Sequence, residues 1–320
     1  MKWPVFPLLP LLVALVGAAP VGAKLCGDDV GGVDVPCACG DVVASDVVLG
    51  DDPVVQAPCP SDGLVVRATG ATRSVTVDLN GKTIRGEGNG TGLWILYGGP
   101  GGARVVSSGG RASIVAFRDG IVAHGADSLA LLDGVNAVSS GRDGIRVEAQ
   151  GYEVTNADTR DSGRDGVATS GKSYRVSAAH AAGSGRWGFY AIGNDATLGA
   201  PGAGLVADGA MMAGINVMGM GHHVVDCVAT GNSGDGVHLY GMHLEVRGCS
   251  ATRNGGNGIY GSGMDWAFSG NSADDNDKNG ILVWGMRITD QGGNRGSGNR
   301  GLNERRWVSQ CEISDRPCLP

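Results

Sequence analysis

Two copies of one tetrapeptide, Gly141-Arg-Asp-Gly144 and Gly163-Arg-Asp-Gly166, stand 22 residues apart. If 22 residues make one turn of a regular structure, Asp143 and Asp165 are neighbours about 5 Å apart, the spacing of adjacent strands. Like charges that close push their two titrations apart or recruit a cation, and Arg142, Arg146 and Arg164 lie in the same stretch. Carboxyl groups near that separation also suit glycoside chemistry, so Asp143, Asp165 and Arg146 are the expected catalytic group. The alternative is that Asp-Gly is favourable turn chemistry repeated with the period. A second segment, Asp275-Asn-Asp277-Lys-Asn279-Gly280, matches the first half of a calcium-binding loop, with Asp275, Asp277 and Asn279 as the ligands a Ca2+ ion would take. Met286 stands where such a loop places its last Glu, which favours a plain turn. Gly86-Glu-Gly-Asn-Gly-Thr-Gly92 is glycine-rich like a phosphate loop, but no helical pattern follows it and that reading is set aside.

An internal repeat sets the elements that position these residues. Gly followed by an apolar residue recurs at Gly120, Gly144, Gly166, Gly188, Gly214, Gly236, Gly258, Gly280 and Gly301, at intervals of 24, 22, 22, 26, 22, 22, 22 and 21 residues. A second Gly follows five residues later at Gly125, Gly171, Gly193, Gly219, Gly241, Gly263 and Gly285. The segment between the two reads as a strand of about four residues bounded by turns. Apolar pairs such as Tyr174/Val176 and Leu244/Val246, then small pairs such as Cys227/Ala229 and Cys249/Ala251, recur with the same period. Each repeat is therefore three short strands, which bury their apolar side only by stacking on the next repeat. The expected fold is all-β, a right-handed parallel β-helix of about nine to ten coils with three short strands per coil.

Over roughly residues 63–303 the chain resembles the pectin-lyase-like superfamily, particularly secreted bacterial proteins with parallel β-helix repeats, including those called NosD-like. The resemblance is carried by the Gly-Ile/Val repeats, by Val75-Thr-Val-Asp-Leu-Asn-Gly-Lys-Thr-Ile84, and by Asn232, Asn254 and Asn276 at 22-residue spacing. Stacked amides of that kind hydrogen-bond from coil to coil. The resemblance implies a fold rather than a chemistry, since one fold hosts many activities, and no family catalytic motif matches residue by residue. It also implies a groove over one sheet that receives a polymer. Alternation along the first strand places Arg146/Glu148, Tyr190/Ile192, Asn216/Met218, His238/Tyr240, Tyr260/Ser262 and Leu282/Trp284 outward. An aromatic with an apolar body and a polar tip suits a sugar ring, so Tyr190, Asn216, His238, Tyr240, Tyr260 and Trp284 are the expected substrate-binding residues. Bracing of the sheet by stacked aromatics is the competing reading. Met220, Met242, Met264 and Met286, one per coil, are expected as core packing. The NosD-like resemblance adds an alternative, a copper site formed with His222, His223 and His243.

Composition bounds the rest. Of 320 residues 58 are Gly, too many for long helices, and 12 Pro without a Gly-X-Y period exclude collagen. A hydrophobic share of 42% is enough for a core. A net charge of -7 without a basic block argues against nucleic acid as a partner. Residues 1–23 read as a signal peptide with Val21 and Ala23 placed for cleavage, so the expected location is secreted or periplasmic with no membrane attachment afterwards. Eight Cys fit that oxidising compartment. Residues 24–62 are expected as a Cys-rich cap with Cys26–Cys37 and Cys39–Cys59 bridges, 63–303 as the β-helix, and 304–320 as a tail carrying Cys311 and Cys318. Cys227 and Cys249, one coil apart, suit either a bridge or two stacked thiols. The expectation is a monomer that binds, and cleaves or epimerises, a polysaccharide, as a lyase, epimerase or glycoside hydrolase; the alternative is a non-catalytic surface or adhesive scaffold.

Overall fold

The computed structural model describes residues 23–69, 74–98, 102–126, 130–301 and 310–318; the expected signal peptide, apart from Ala23, lies outside these residues. The described chain winds into three sheets of fourteen, eleven and ten strands, in which successive coils pair strand on strand in parallel; an antiparallel pair, Cys311–Ile313 with Arg316–Pro317, ends the first sheet. The first sheet carries the longest regular run: Ile145–Gln150, Val167–Lys172, Phe189–Asn194, Ile215–Met220, Val237–Met242, Ile259–Met264 and Ile281–Met286. These strands stack residue for residue, so that Ile145 meets Val167, Val167 meets Phe189 and Phe189 meets Ile215. Among the described residues, helix is confined to one turn, Pro53–Gln56. No helix among the described residues is long and apolar enough to cross a membrane.

The β-helix has about eleven turns rather than nine to ten. The additional coils begin at Gly63-Leu64 and Gly92-Leu93, whose spacings to the next anchors are 29 and 28 residues, so they fall outside the 22-residue count. Leu25–Cys26 and Asp41–Val43 of the cap also pair onto the first sheet as its opening strands. The core is built from one inward column per sheet position. Ile145, Val167, Phe189, Ile215, Val237 and Ile259 form one; Val154, Val176, Leu198, Val224, Val246 and Phe268 another; and the third sheet contributes small residues such as Ala181, Ala207, Ala229 and Ala251. Tyr152 and Tyr174 stack in the interior with centroids 4.7 Å apart and planes 7° from parallel.

One expectation is overturned. Met220, Met242 and Met286 are exposed, at 41%, 37% and 59%, instead of packing the core. The second Gly of each repeat does not end the strand but lies inside it, and the strand runs six residues, not four. Gly219 and Gly241 hold φ of +140° and +148°, where a side chain is strained, and a Cβ on either would come 1.8 Å from the carbonyl oxygen of the glycine below. Alternation then carries the next residue, the methionine, to the outer face.

All eight cysteines are bridged. Cys26–Cys37 and Cys39–Cys59 strap the cap as expected, Cys311–Cys318 closes the far end, and Cys227–Cys249 is a bridge between coils rather than a pair of thiols. The expected amide ladder is present and longer, running Asn232, Asn254, Asn276, Asn299 and Gln310. Asn254 is saturated: its Oδ1 accepts from the N–H and Nδ2 of Asn232 at 3.0 and 2.9 Å, and its Nδ2 donates to Ala229 O at 3.1 Å and Asn276 Oδ1 at 2.9 Å. Truncating one rung strands buried groups on both sides, each worth about 1–3 kcal/mol. Asn254→Ala should therefore lower stability by about 3 kcal/mol or more, read as a lower urea midpoint. An unchanged midpoint would show that the ladder bears no load.

Candidate functional site

The loops entering the first sheet place an acidic column at its edge. The Asp of each Arg-Asp-Gly turn precedes an anchor glycine, and at Gly144 an added Cβ would lie 2.7 Å from the Gly166 carbonyl, so the turn is pressed onto its neighbour. Asp119, Asp143 and Asp165 are thereby stacked and buried, each about 1% exposed. The Asp165 N–H donates to Asp143 Oδ1 at 3.4 Å, which puts the two expected carboxyl groups on adjacent coils. Arginines neutralise the column from one coil further on. Arg142 reaches Asp119 at 3.7 Å, Arg164 reaches Asp143 at 3.6 Å, and Arg186 grips Asp165 in a two-pronged pair through Nε and Nη2.

Arg146 joins this group from the first outward position of its strand. Its Nε faces Asp143 Oδ2 at 4.0 Å, and both atoms are buried without a hydrogen-bond partner. Glu148, two residues on, meets Arg146 Nη1 at 3.8 Å and His124 Nδ1 at 3.1 Å. Burial pushes the Asp143 carboxyl above its ordinary value, with Asp165 adding to the rise and Arg164 opposing it. Burial lowers His124, against the pull of Glu148. Asp143, Arg146, Glu148, Arg164 and Asp165 line a pocket of about 140 Å³ that Tyr190 and Arg186 also wall. Tyr190 stacks on Trp187 with centroids 4.3 Å apart, and the Arg186 guanidinium lies 4.0 Å above the Trp187 ring.

The structure thus brings Asp143, Asp165, Arg146 and Tyr190 together. Asp119, Arg186 and Trp187 belong to the same cluster and were missed, although they occupy the same register one repeat before and after the duplicated tetrapeptide. The remaining expected residues lie elsewhere on the sheet. Asn216, 9% exposed, follows Tyr190 in its column with Oδ1 unpartnered. His238 is hydrogen-bonded to Asp235 at 2.9 Å and tilted against Tyr260 at 5.2 Å. Tyr240 and Trp284 stand in the other outward column, exposed, with Ser262 between them. The four aromatics are therefore divided between two columns and form no continuous platform.

A second cavity, of about 620 Å³, opens on the same sheet over Gly193, Gly219, Gly241 and Gly263, between Ile192, Met218 and Tyr240 on one side and Met220, Met242 and Met264 on the other. His222 is buried beside it with both ring nitrogens committed to backbone, Nδ1 to the Ala196 N–H and Nε2 to Met218 O. His223 and His243 pair with Glu245 and Asp265. In the calcium-like segment Asp277 pairs with Arg300 at 3.4 Å, the Asn279 amide donates to Asn257 at 2.9 Å, and Asp275 adopts a left-handed turn at φ 56°. Among the described residues no group of three or more His, Cys, Asp or Glu converges as a metal site would require.

A family model described as a right handed beta helix region matches residues 119–295, more than half of the chain. No curated protein matches the sequence. Solved structures similar to this chain include a pectate lyase (18% identity, TM-score 0.42), of which the chain covers 66% with 79% of its own length. They also include the A-module of an Azotobacter vinelandii mannuronan C-5 epimerase (14%, TM-score 0.46, 94% of this chain and 92% of that one) and the catalytic unit of a thermostable α-1,3-glucanase from Streptomyces thermodiastaticus (12%, TM-score 0.42, 91% and 72%).

Asp235 provides a test of the electrostatics along this edge. Burial alone would raise its carboxyl, but hydrogen bonds from His238 and Asn257 outweigh that and hold it below the ordinary 3.8. Folding therefore favours the ionised form, and the stability it contributes is present above that value and lost as pH falls through the lower folded value. Asp235→Asn should cost about 1 kcal/mol at neutral pH, and the gap to the parent should close on acidification. A gap that stays constant down to acid unfolding would refute the assignment.

Proposed function

The chain belongs to the right handed beta helix family, and from that premise we propose that it is an exported protein that binds an acidic polysaccharide across its first sheet. The four disulfides fit an oxidising compartment outside the cytoplasm. The observation that carries the reading is the convergence of the half-exposed Arg146, Arg164 and Arg186 side chains on one pocket beside Tyr190. The carboxylate of a uronic acid sugar accepts from the exposed guanidinium N–H groups of that cluster, a charge-assisted and directional contact. Tyr190, held flat against Trp187, offers the ring face on which a sugar packs.

The same residues support turnover as a second reading. Burial raises the Asp143 carboxyl, the direction a general acid requires, so Asp143 is the proposed proton donor, with Asp165 anchoring Arg186 beside it. Cleavage and epimerisation are told apart by whether the product shortens or only changes configuration.

Titration calorimetry with oligouronates and with neutral glucans of equal length tests the binding. Arg146→Gln and Tyr190→Ala should each weaken oligouronate binding by about tenfold or more, about 1.4 kcal/mol, with little change in melting temperature. Arg186→Ala should instead destabilise the fold by about 3 kcal/mol, because it leaves Asp165 buried and unpaired. No preference for the acidic polymer, or no binding at all, favours the scaffold.

A further inference from the structure

The apolar cavity is a straight trough rather than a pit. Its floor is the in-strand glycine column, and its walls are the two outward columns on either side, which run along the coil axis at one residue per coil. Ile192, Met218 and Tyr240 stand on one wall and Met220, Met242 and Met264 on the other; exposed Trp284 and Met286 extend the two walls by one coil. From the coil of Gly193 to that of Gly285 the trough is four strand spacings, about 19 Å, long. It is poorly suited to a bare sugar chain, because Ser262 and the Tyr240 hydroxyl are almost the only polar side-chain groups along it and sugar hydroxyls need many. Flexible thioether walls suit an aliphatic chain, and a largely apolar strip, broken at Ser262, on an otherwise acidic chain marks a binding surface.

One end of the trough is charged. Ile192 lines both this cavity and the pocket of Arg146, Arg164 and Arg186, so the two lie end to end on one sheet. Where they meet, the two wall columns pass from Ile192 and Asn194 to Ser170 and Lys172, on either side of Gly171, and Ser170 already lines the charged pocket. A ligand that fills both is anionic and hydroxylated at one end and aliphatic at the other, with a single chain, since the trough is one glycine column wide.

We infer that the protein takes the lipid-bearing end of an acidic glycan: uronic acid sugar in the arginine pocket and the attached aliphatic chain along the methionine trough. This rests on the reading of the pocket as an acidic-sugar site and extends it to the anchor that the sugar carries. The partner is thus an amphiphile rather than a bulk polymer.

Dodecyl β-glucuronide, methyl β-glucuronide and dodecyl maltoside, each below its micelle concentration, separate the two parts. The dodecyl glucuronide should bind about a hundredfold tighter or more than the methyl glucuronide. Met242→Gln combined with Met264→Gln, both on the outer face, should remove most of that increment while leaving methyl glucuronide binding and melting temperature unchanged. Arg146→Gln should weaken both glucuronides and leave dodecyl maltoside unaffected. Methyl and dodecyl glucuronide binding equally would overturn the trough assignment and spare the pocket. Maltoside and glucuronide binding equally would overturn the pocket reading, and the inference with it. Sedimentation showing a dimer that the double Met→Gln variant dissolves would overturn the inference in favour of a second copy as the occupant.

Discussion

Every residue in this fold meets its own counterpart one coil away, at the fixed spacing of parallel strands, about 4.8 Å. That constraint decides which side chains a column tolerates. Amides gain, because each carries both a donor and an acceptor, and the Asn232–Asn254–Asn276–Asn299 series closes donor to acceptor at 2.9 Å throughout. Aromatics gain by stacking, as Tyr152 does on Tyr174. Cysteines at this spacing are within bridging reach, and Cys227–Cys249 forms. Carboxylates lose, since like charges come face to face. Asp119, Asp143 and Asp165 are tolerated because Arg142, Arg164 and Arg186 reach back by one coil and interleave positive charge between them.

The columns do not run unchanged from end to end. They switch identity at the 26-residue coil between Gly188 and Gly214. Before it the inward polar column is Ser140, Ser162 and Ser184, the loop column is Asp and Arg, and the last position of the first-sheet strand is Gln150, Lys172 and Asn194. After it these become Asn232 and Asn254, then Asp235 and Asn257, then Met220, Met242 and Met264. The charged pocket and the apolar trough are the outward expressions of these two blocks, and they meet at Ile192 because the blocks meet there.

How much of this could be read beforehand follows from the same constraint. Stacking like on like writes the period into the sequence, so the architecture, the amide ladder and the pairing of Asp143 with Asp165 were accessible from spacing alone. Asp119 and Arg186 were accessible in principle but hidden, because Phe117 and Trp187 interrupt the repeated tetrapeptide on either side. The methionine column was misplaced for a conformational reason. Whether Gly219 ends a strand or sits within it depends on backbone angles that composition does not reveal, and the answer reverses the face on which Met220 lies. The aromatic platform failed for a related reason: Tyr190 and Tyr260 share one outward position and Tyr240 and Trp284 another, so a common face did not make them neighbours.

Energetic contrast between the two blocks locates the working part of the molecule. In the asparagine block nearly every buried polar atom is paired, and the columns saturate one another. In the serine and aspartate block Ser140, Ser162 and Ser184 Oγ, Asp119 Oδ1, Asp143 Oδ2 and Arg146 Nε are all buried without a protein partner. An aspartate has no donor with which to continue a ladder, and Ser140, Ser162 and Ser184 form none, although hydroxyls elsewhere do, as Ser272 does to Ser250 at 3.3 Å. Such local departures from a fold's own rules are expected at functional sites. Here they coincide with the only described stretch in which arginine, carboxylate and a braced aromatic pair converge on one pocket.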